Sequence, residues 1–249
     1  MGKSMMEGEF AAMSEICKYM PSFAPKPYAW GKFRGSPPET YFLLMEYLDL
    51  GMDMVDPGEF CARIAKLHQV SVSPNGMFGF PIMTYHGPNP QNTEWETSWS
   101  VFFARLLGQF FDREIQQNGP YVEYEEAFDL MNTYVVPRLL EPLQTDGNVL
   151  KPCLVHGDLW EGNVGTNLVT GEPVVFDSGA MYAHNELELG MWRADIIRFG
   201  KVYLRQYLRH MPPSEPIEEW DDRNRLYSIK YLLSHCLGWP ANAPHVREL

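Results

Sequence analysis

Apolar residues at the front of the chain recur at helical spacing. In SMMEGEFAAMSEICKYM, Met5, Phe10, Met13, Ile16 and Cys17 share one stripe with polar residues between them, which predicts an amphipathic helix stopping at Pro21. KPYAWGKF and TYFLLMEYL are short aromatic and aliphatic runs separated by RGSPPE, whose glycine and prolines make a loop, so two strands are expected. The second run leaves through EYLDLG into a linker. DPGEFCARIAKLHQV opens on Asp56 as a cap with Pro57 at the first helical position, a helix start. SVSPNGMFGFPIMTYHGPNPQ is so rich in glycine, proline and asparagine that it reads as a long loop with no regular element, and loops of that length are usually functional or mobile.

Two more helical patterns follow, ETSWSVFFARLLGQFFDREIQQ and YEEAFDLMNTYVVPRLLEPL. CLVHGDLWEGNVGTNLVTGEPVVFD then sets two apolar runs around a turn, and beyond Asp177 the pattern is helical again through NELELGMWRADIIRFGKVYLRQYL and DDRNRLYSIKYLLSHCLG. The order predicts a small strand-bearing piece docked on a larger helical lobe, with one strand-loop-strand insertion. There is no internal repeat and no low-complexity tract.

Composition narrows the partners. With 249 residues, 45% hydrophobic and 14% aromatic, the chain can bury one large core or two smaller ones. No run of about 18 apolar residues is present, and MGKSMMEGEF has neither an apolar signal core nor a cleavage site, so a soluble, cytoplasmic protein without a membrane partner is expected. Cys17, Cys61, Cys153 and Cys236 lie far apart without a CxxC pair, which predicts reduced, mostly buried thiols. A formal charge of -12 with no basic run argues against nucleic acid, yet leaves room for a local nucleotide pocket.

The candidate chemistry sits in the insertion. The run CLV reaches a turn at His156 and Gly157; Asp158 follows, Asn163 stands five residues later, and the run PVVF ends at Asp177. If the two runs pair around TNLVTGE, these three polar side chains converge at one mouth of a hairpin. Aspartate, then asparagine five residues on, then an aspartate at the end of the next strand is the order kinases use for phosphoryl transfer from ATP. Asn163 and Asp177 can supply oxygen ligands to Mg2+, and Asp158 can accept a hydroxyl proton. Each residue taken singly is also an ordinary turn former. His156, with no second His or Cys at ligand spacing, is expected to anchor the loop.

HGDLWEGN with VVFD, the upstream LHQVSVSPNGMFGFPIMTYHGPNPQNTEWETSWSVFFARLL, and the ending DDRNRLYSIKYLLSH together resemble the fructosamine-3-kinase family, also called ketosamine or protein-ribulosamine 3-kinases. The resemblance runs from about Met5 to the end. Aminoglycoside and choline kinases share the HGD and the later aspartate, whereas Trp160 and the segment from FGF to FF are particular to this family. It implies an α+β, protein-kinase-like fold of the aminoglycoside phosphotransferase type. Residues 1–50 would form a truncated small lobe with helix C, two strands and the hinge, and residues 51–249 a mostly helical catalytic lobe. ATP and Mg2+ are the implied cosubstrates. The implied substrates are ketosamines, either small molecules or glycated proteins, phosphorylated on the sugar O3 to an unstable product that releases the amine.

By the same resemblance Asp158 looks like the catalytic base, Asn163 and Asp177 the metal ligands, and Glu9 the helix-C glutamate. The backbone at Glu46, Tyr47 and Leu48 is similar to the hinge that holds adenine, and Trp160 and His235 resemble residues facing the ketosamine. For Trp160 core packing, and for His235 an ordinary core or surface histidine, are the alternatives. The chain departs from the family at its front, where a glycine-rich strand pair and a strand lysine should precede helix C. Lys3 is too close to Glu9 to be that lysine, and GKS lacks the strand and first glycine of a P-loop. The expectation is a truncated version of a longer protein, or a product that has lost its nucleotide lobe. HVREL also ends short of the family's last helix, Glu161 replaces a common serine, and Ser178 replaces a usual proline. Two other functions fit less of the sequence: a non-catalytic kinase-like module, and a small-molecule phosphotransferase of the aminoglycoside or choline type.

Overall fold

The first helix, α1 (Gly2–Tyr19), buries Ala12, Met13 and Ile16 completely, on the stripe the spacing predicts, and ends two residues before Pro21. The structure, a computed structural model, describes residues 2–35 and 37–247. Strands β1 (Pro27–Lys32) and β2 (Tyr41–Met45) pair antiparallel, from Lys32 opposite Tyr41 to Pro27 opposite Met45, and α1 packs against both. One face of this ribbon is open, with Tyr28 and Leu44 exposed. After the irregular stretch 46–49, β3 (Leu50–Gly51) leaves the ribbon and joins a different sheet. Helix α2 (Pro57–Val70) starts as expected, the Asp56 carboxylate accepting the Glu59 N–H at 2.9 Å.

The stretch expected to be all loop holds a hairpin, β4 (Thr84–His86) and β5 (Asn89–Gln91), turning at Gly87 with φ 55. Its inward residues are Thr84, His86, Asn89 and Gln91, buried yet polar. Gln91 Nε2 donates to Thr84 Oγ1 and to the Gly179 carbonyl, so hydrogen bonds replace the apolar alternation that marks a strand in a sequence.

Helix α3 (Trp99–Asn118) contributes Trp99, Phe102, Phe103, Leu106, Leu107 and Phe110 to the core. Helix α4 (Val122–Leu130) passes through a π-helical turn at Met131–Val135 into α5 (Val136–Leu140). The irregularity lies next to Pro137, which has no N–H for the ladder.

The catalytic-looking segment folds as three short strands, not as one hairpin of its two apolar runs. The fully buried β6 (Cys153–Val155) pairs antiparallel with β9 (Met181–Ala183), while β7 (Val164–Asn167) pairs with β8 (Pro173–Val175) and β3. A tight turn selects VGTN as the partner of PVV: Asn167 Oδ1 accepts the Val169 and Thr170 N–H groups, and Gly171 takes φ 78.

Helices α6 (Glu186–Gly190), α7 (Lys201–His210), α8 (Trp220–Gly238) and α9 (Ala243–Arg247) complete the chain. The Trp99 indole donates to Tyr227 of α8 at 2.8 Å, locking α3 to α8. Arg223 of α8 is fully buried and doubly bonded to Glu186 at 2.8 and 3.0 Å, a geometry that repays part of the desolvation of both charges. All four cysteines are free, three of them buried. Among the described residues no helix is long and apolar enough to cross a membrane. The last two residues of HVREL lie outside the described residues.

Candidate active site

Strand β6 delivers the chain into the turn His156-Gly157-Asp158, and a buried carboxylate holds that turn from below. Glu188 of α6, fully buried, accepts the His156 N–H at 2.5 Å and the Gly157 N–H at 3.0 Å. Burial would raise this carboxyl, but the neighbouring His68 and His156 with its N–H keep it below its ordinary range, so it stays an anion. His156 Nε2 donates to the Phe176 carbonyl at 3.0 Å and Nδ1 accepts the Asp158 N–H at 3.3 Å, tying the turn to the end of β8. Ser178 donates its hydroxyl to the His156 carbonyl at 2.9 Å. Gly157 has φ 82, and a Cβ there would stand 2.5 Å from the Gly179 carbonyl oxygen.

Asn163 brings the two aspartates together. Its Nδ2 donates to the Asp158 carbonyl at 2.8 Å and to the Asp177 carbonyl at 3.4 Å, which leaves Oδ1 as its free-facing acceptor. Asp177 follows β8 in the left-handed region at φ 57, a position L-residues seldom adopt, and so turns back toward Asp158. Burial, then the nearby Asp158 charge, raise the Asp177 carboxyl above its usual range. Glu9 of α1 is pushed up to about 7 by burial and then by Asp177. Burial also opposes ionisation of Asp158, but His86, His156 and Lys230 pull it down to about 2.

Among the described residues no three His, Cys, Asp or Glu side chains are grouped closely enough to hold a metal alone. Mg2+ needs no such group, since it takes one or two carboxylates and completes its octahedron with water and phosphate oxygens. An amide oxygen at Asn163 and a carboxylate at Asp177 fit that demand.

The other expected residues scatter around this centre. Glu46 is engaged with Lys26, its N–H donating to the Lys26 carbonyl at 2.8 Å and its carboxylate accepting the Lys26 N–H at 3.1 Å. Tyr47 is 87% exposed, and Leu48 is half-buried. Trp160 is 38% exposed and lays its indole over Gly162, so it is a surface platform rather than core. Glu161 accepts the Arg198 N–H at 3.1 Å. His235 stacks on Trp239 with centroids 4.9 Å apart and accepts the Asn242 amide at 3.0 Å.

Two groups beside Asp158 went unread in the sequence. His86 Nε2 lies 2.9 Å from Asp158 Oδ1, too poorly aligned for a full hydrogen bond. Lys230 is fully buried, with Nζ 3.4 Å from the Gly157 carbonyl and over the Tyr231 ring at 4.3 Å. The signal for Lys230 was available: it interrupts the apolar stripe Leu226, Tyr227, Leu233 of α8. Burial lowers its ammonium to about 7, with Asp158 and Glu188 offsetting part of the cost. Between that value and the ordinary 10.5 the unfolded chain binds the extra proton, so folding stability rises with pH across this window. Lys230→Met removes that dependence. The variant is expected to be more stable than the parent at pH 6 by on the order of 2 to 4 kcal/mol, with the gap closing toward pH 10. Denaturant melts at the two pH values check this; an equal gap at both would contradict it.

Comparison with known proteins places these features. The family model for fructosamine kinase matches residues 2–242. The chain is 31% identical over 236 residues to the chloroplastic protein-ribulosamine 3-kinase of Oryza sativa subsp. japonica, covering 94% of this chain but only 64% of the rice protein's length. A solved Haemophilus somnus protein assigned as a fructosamine-3-kinase superposes with a TM-score of 0.72 at 24% identity, over 94% of this chain and 72% of that one. An aminoglycoside phosphotransferase solved with AMP-PNP and hygromycin B superposes at 0.60 with 18% identity, over 97% of this chain and 80% of the other. The α+β fold is the one these kinases share. With a family match over nearly all its residues, and HGD, Asn163 and Asp177 meeting at one end of a hairpin, the chain belongs to the fructosamine kinase family.

Proposed function

We propose that this chain is an ATP- and Mg2+-dependent phosphotransferase acting on the sugar O3 hydroxyl of ketosamines, ribulosamines and fructosamines carried on lysine among them. The observation that carries it is Asn163, whose amide nitrogen ties the backbones of Asp158 and Asp177 together and leaves its oxygen without a protein donor. Asp158 orients the acceptor hydroxyl and takes its proton. Its low pKa makes it a weak base, which suits a loose transition state where proton transfer comes late and alignment matters most. Asn163 and Asp177 would hold Mg2+, which when bound screens the phosphate charge. Glu46, Tyr47 and Leu48 offer the hinge backbone to adenine, and Trp160 is an apolar platform for the sugar. Residues 1–50 act as the small lobe and 51–249 as the catalytic lobe. Substrates are small ketosamines or glycated proteins of the cytoplasm, and loss of the 3-phosphate with the sugar restores the amine.

One observation favours a second reading, a kinase-like module without catalysis. Among the described residues no lysine forms an ion pair with Glu9, whose carboxyl is raised to about 7 by burial and Asp177. Mg-ATP separates the two. A ligand at 100 times its Kd stabilises the folded state by about 2.7 kcal/mol, expected here as a melting shift of about 5 to 10 °C. An unmoved melt at saturating Mg-ATP would favour the module. A panel of ribulosyl-lysine, fructosyl-lysine, an aminoglycoside and choline tests substrate class, with transfer expected only to the first two.

A further inference from the structure

His86 ends β4 inside the catalytic lobe, and phosphotransfer as described gives it no task. Its ring is enclosed by Phe110 of α3 and Tyr231 of α8, both edge-on, at 6.5 and 5.5 Å between centroids. Ser234 of α8, 4% exposed, sits against Nδ1 in a short hydrogen bond, and Asn89 Nδ2 donates to the same Ser234 oxygen at 3.3 Å. A serine hydroxyl has one hydrogen. The ionised Asp158 carboxylate 2.9 Å from Nε2 can only accept, so the ring hydrogen belongs on Nε2 and Nδ1 is the nitrogen that accepts the Ser234 hydroxyl. A neutral imidazole then carries its hydrogen on Nε2.

Nε2 is buried, has no aligned hydrogen-bond partner, and faces Asp158 Oδ1 at 2.9 Å. Catalytic hydrogen bonds in ligand-free sites are commonly misaligned and tighten once substrate is bound. The charged and titratable groups facing the ring are Asp158 on the HGD turn, Asp177 beyond β8, and Lys230 and Tyr231 on α8; β5 offers Asn89 and α3 only Phe110. Burial, then Lys230, lower the imidazole below its ordinary range, and the two aspartates offset this in part. The ring is therefore neutral at pH 7, as the hydrogen-bond pattern requires.

We propose that His86, held as its Nε2–H tautomer by Ser234, is a positioning residue for Asp158, occupying Oδ1 so that Oδ2 is the oxygen left to receive the proton of the acceptor hydroxyl. This rests on the phosphotransfer assigned above. In that step the acceptor oxygen bonds to the γ-phosphorus, and the bond from that phosphorus to the β,γ-bridging oxygen breaks with its electron pair leaving on ADP. The hydroxyl proton passes to Asp158 Oδ2, and His86 neither gains nor loses a proton. Without His86 the carboxylate is free to rotate, and fewer bound substrates are aligned for transfer.

Two measurements on the full chain test this. Nitrogen-15 histidine NMR at pH 7, with His86→Gln to assign the ring, is expected to show Nε2 protonated and Nδ1 not, and Ser234→Ala to mix the tautomers. In kinetics, His86→Leu is expected to lower kcat by about 10- to 100-fold with KM for ATP and ketosamine within about twofold, since the group acts on alignment and not on binding. The acidic limb of kcat against pH should rise by about one unit, and His86→Gln, which keeps an N–H, should recover most of the rate. An Nδ1–H tautomer, an unchanged kcat, or a loss confined to KM would overturn the proposal. A parent chain that transfers no phosphate would instead overturn the assigned activity. The position of the His86 hydrogen, and the Asp158 carboxyl pKa with and without His86, would then decide whether the contact is built as proposed.

Discussion

Asp158→Asn is expected to lower kcat for phosphate transfer by about 10² to 10⁴, the usual worth of a positioned acid or base. The substitution is nearly isosteric, so the backbone bonds that define the turn, from the Asp158 N–H to His156 Nδ1 and from Asn163 Nδ2 to the Asp158 carbonyl, are kept. What is lost is the oxygen that takes the hydroxyl proton. KM for Mg-ATP should change little, because the atoms assigned to the metal belong to Asn163 and Asp177. Steady-state kinetics beside a thermal melt check this. A variant that folds normally and turns over within threefold of the parent would remove Asp158 from the role given to it.

Gly157→Ala carries the largest expected effect on stability. At φ 82 an alanine pays the left-handed strain that glycine escapes, and its Cβ would sit 2.5 Å from the Gly179 carbonyl oxygen, with backbone on both sides of the clash. Neither side can yield cheaply. The Gly157 N–H is fixed to Glu188, and Tyr182 of β9, just beyond Gly179, exchanges backbone hydrogen bonds with Gly79. Strain and overpacking together are expected to cost about 3 to 5 kcal/mol, or a fall of about 6 to 20 °C in Tm. Activity should fall further than stability, because relief of the clash displaces Asp158, the next residue. A melt within 2 °C of the parent, with unchanged kcat, would show that this turn is softer than its packing indicates.

How much of this could be read from the chain depends on where each signal resides. The α1 stripe and the Asp56 cap are local, periodic features, and they gave the observed elements. Asp158, Asn163 and Asp177 converge because their spacing along two turns is itself local, although the expected pairing of CLV with PVV did not form. Each run found another partner, β6 taking β9 and β8 taking β7, and the polar residues met through the Asn163 amide instead. The β4–β5 hairpin was invisible because its buried face is polar, stabilised by hydrogen bonds to Gly179 and Ser234 that no periodicity records. His86 illustrates the limit most clearly. It lies 148 residues from Ser234 and meets Asp158 from another element, so only the assembled lobe shows the contact. Lys230 differed, since a lysine within an apolar helical stripe is a visible anomaly.

The most direct test is transfer of the γ-phosphate of ATP to a ribulosamine-modified lysine peptide by this chain, with the phosphorylated oxygen located by phosphorus NMR. The expected result is Mg2+-dependent phosphorylation of the sugar O3 that Asp158→Asn abolishes to within about 1% of the parent rate. Mg-ATP binding with no transfer to any ketosamine, or equal transfer by the Asp158→Asn chain, would contradict it.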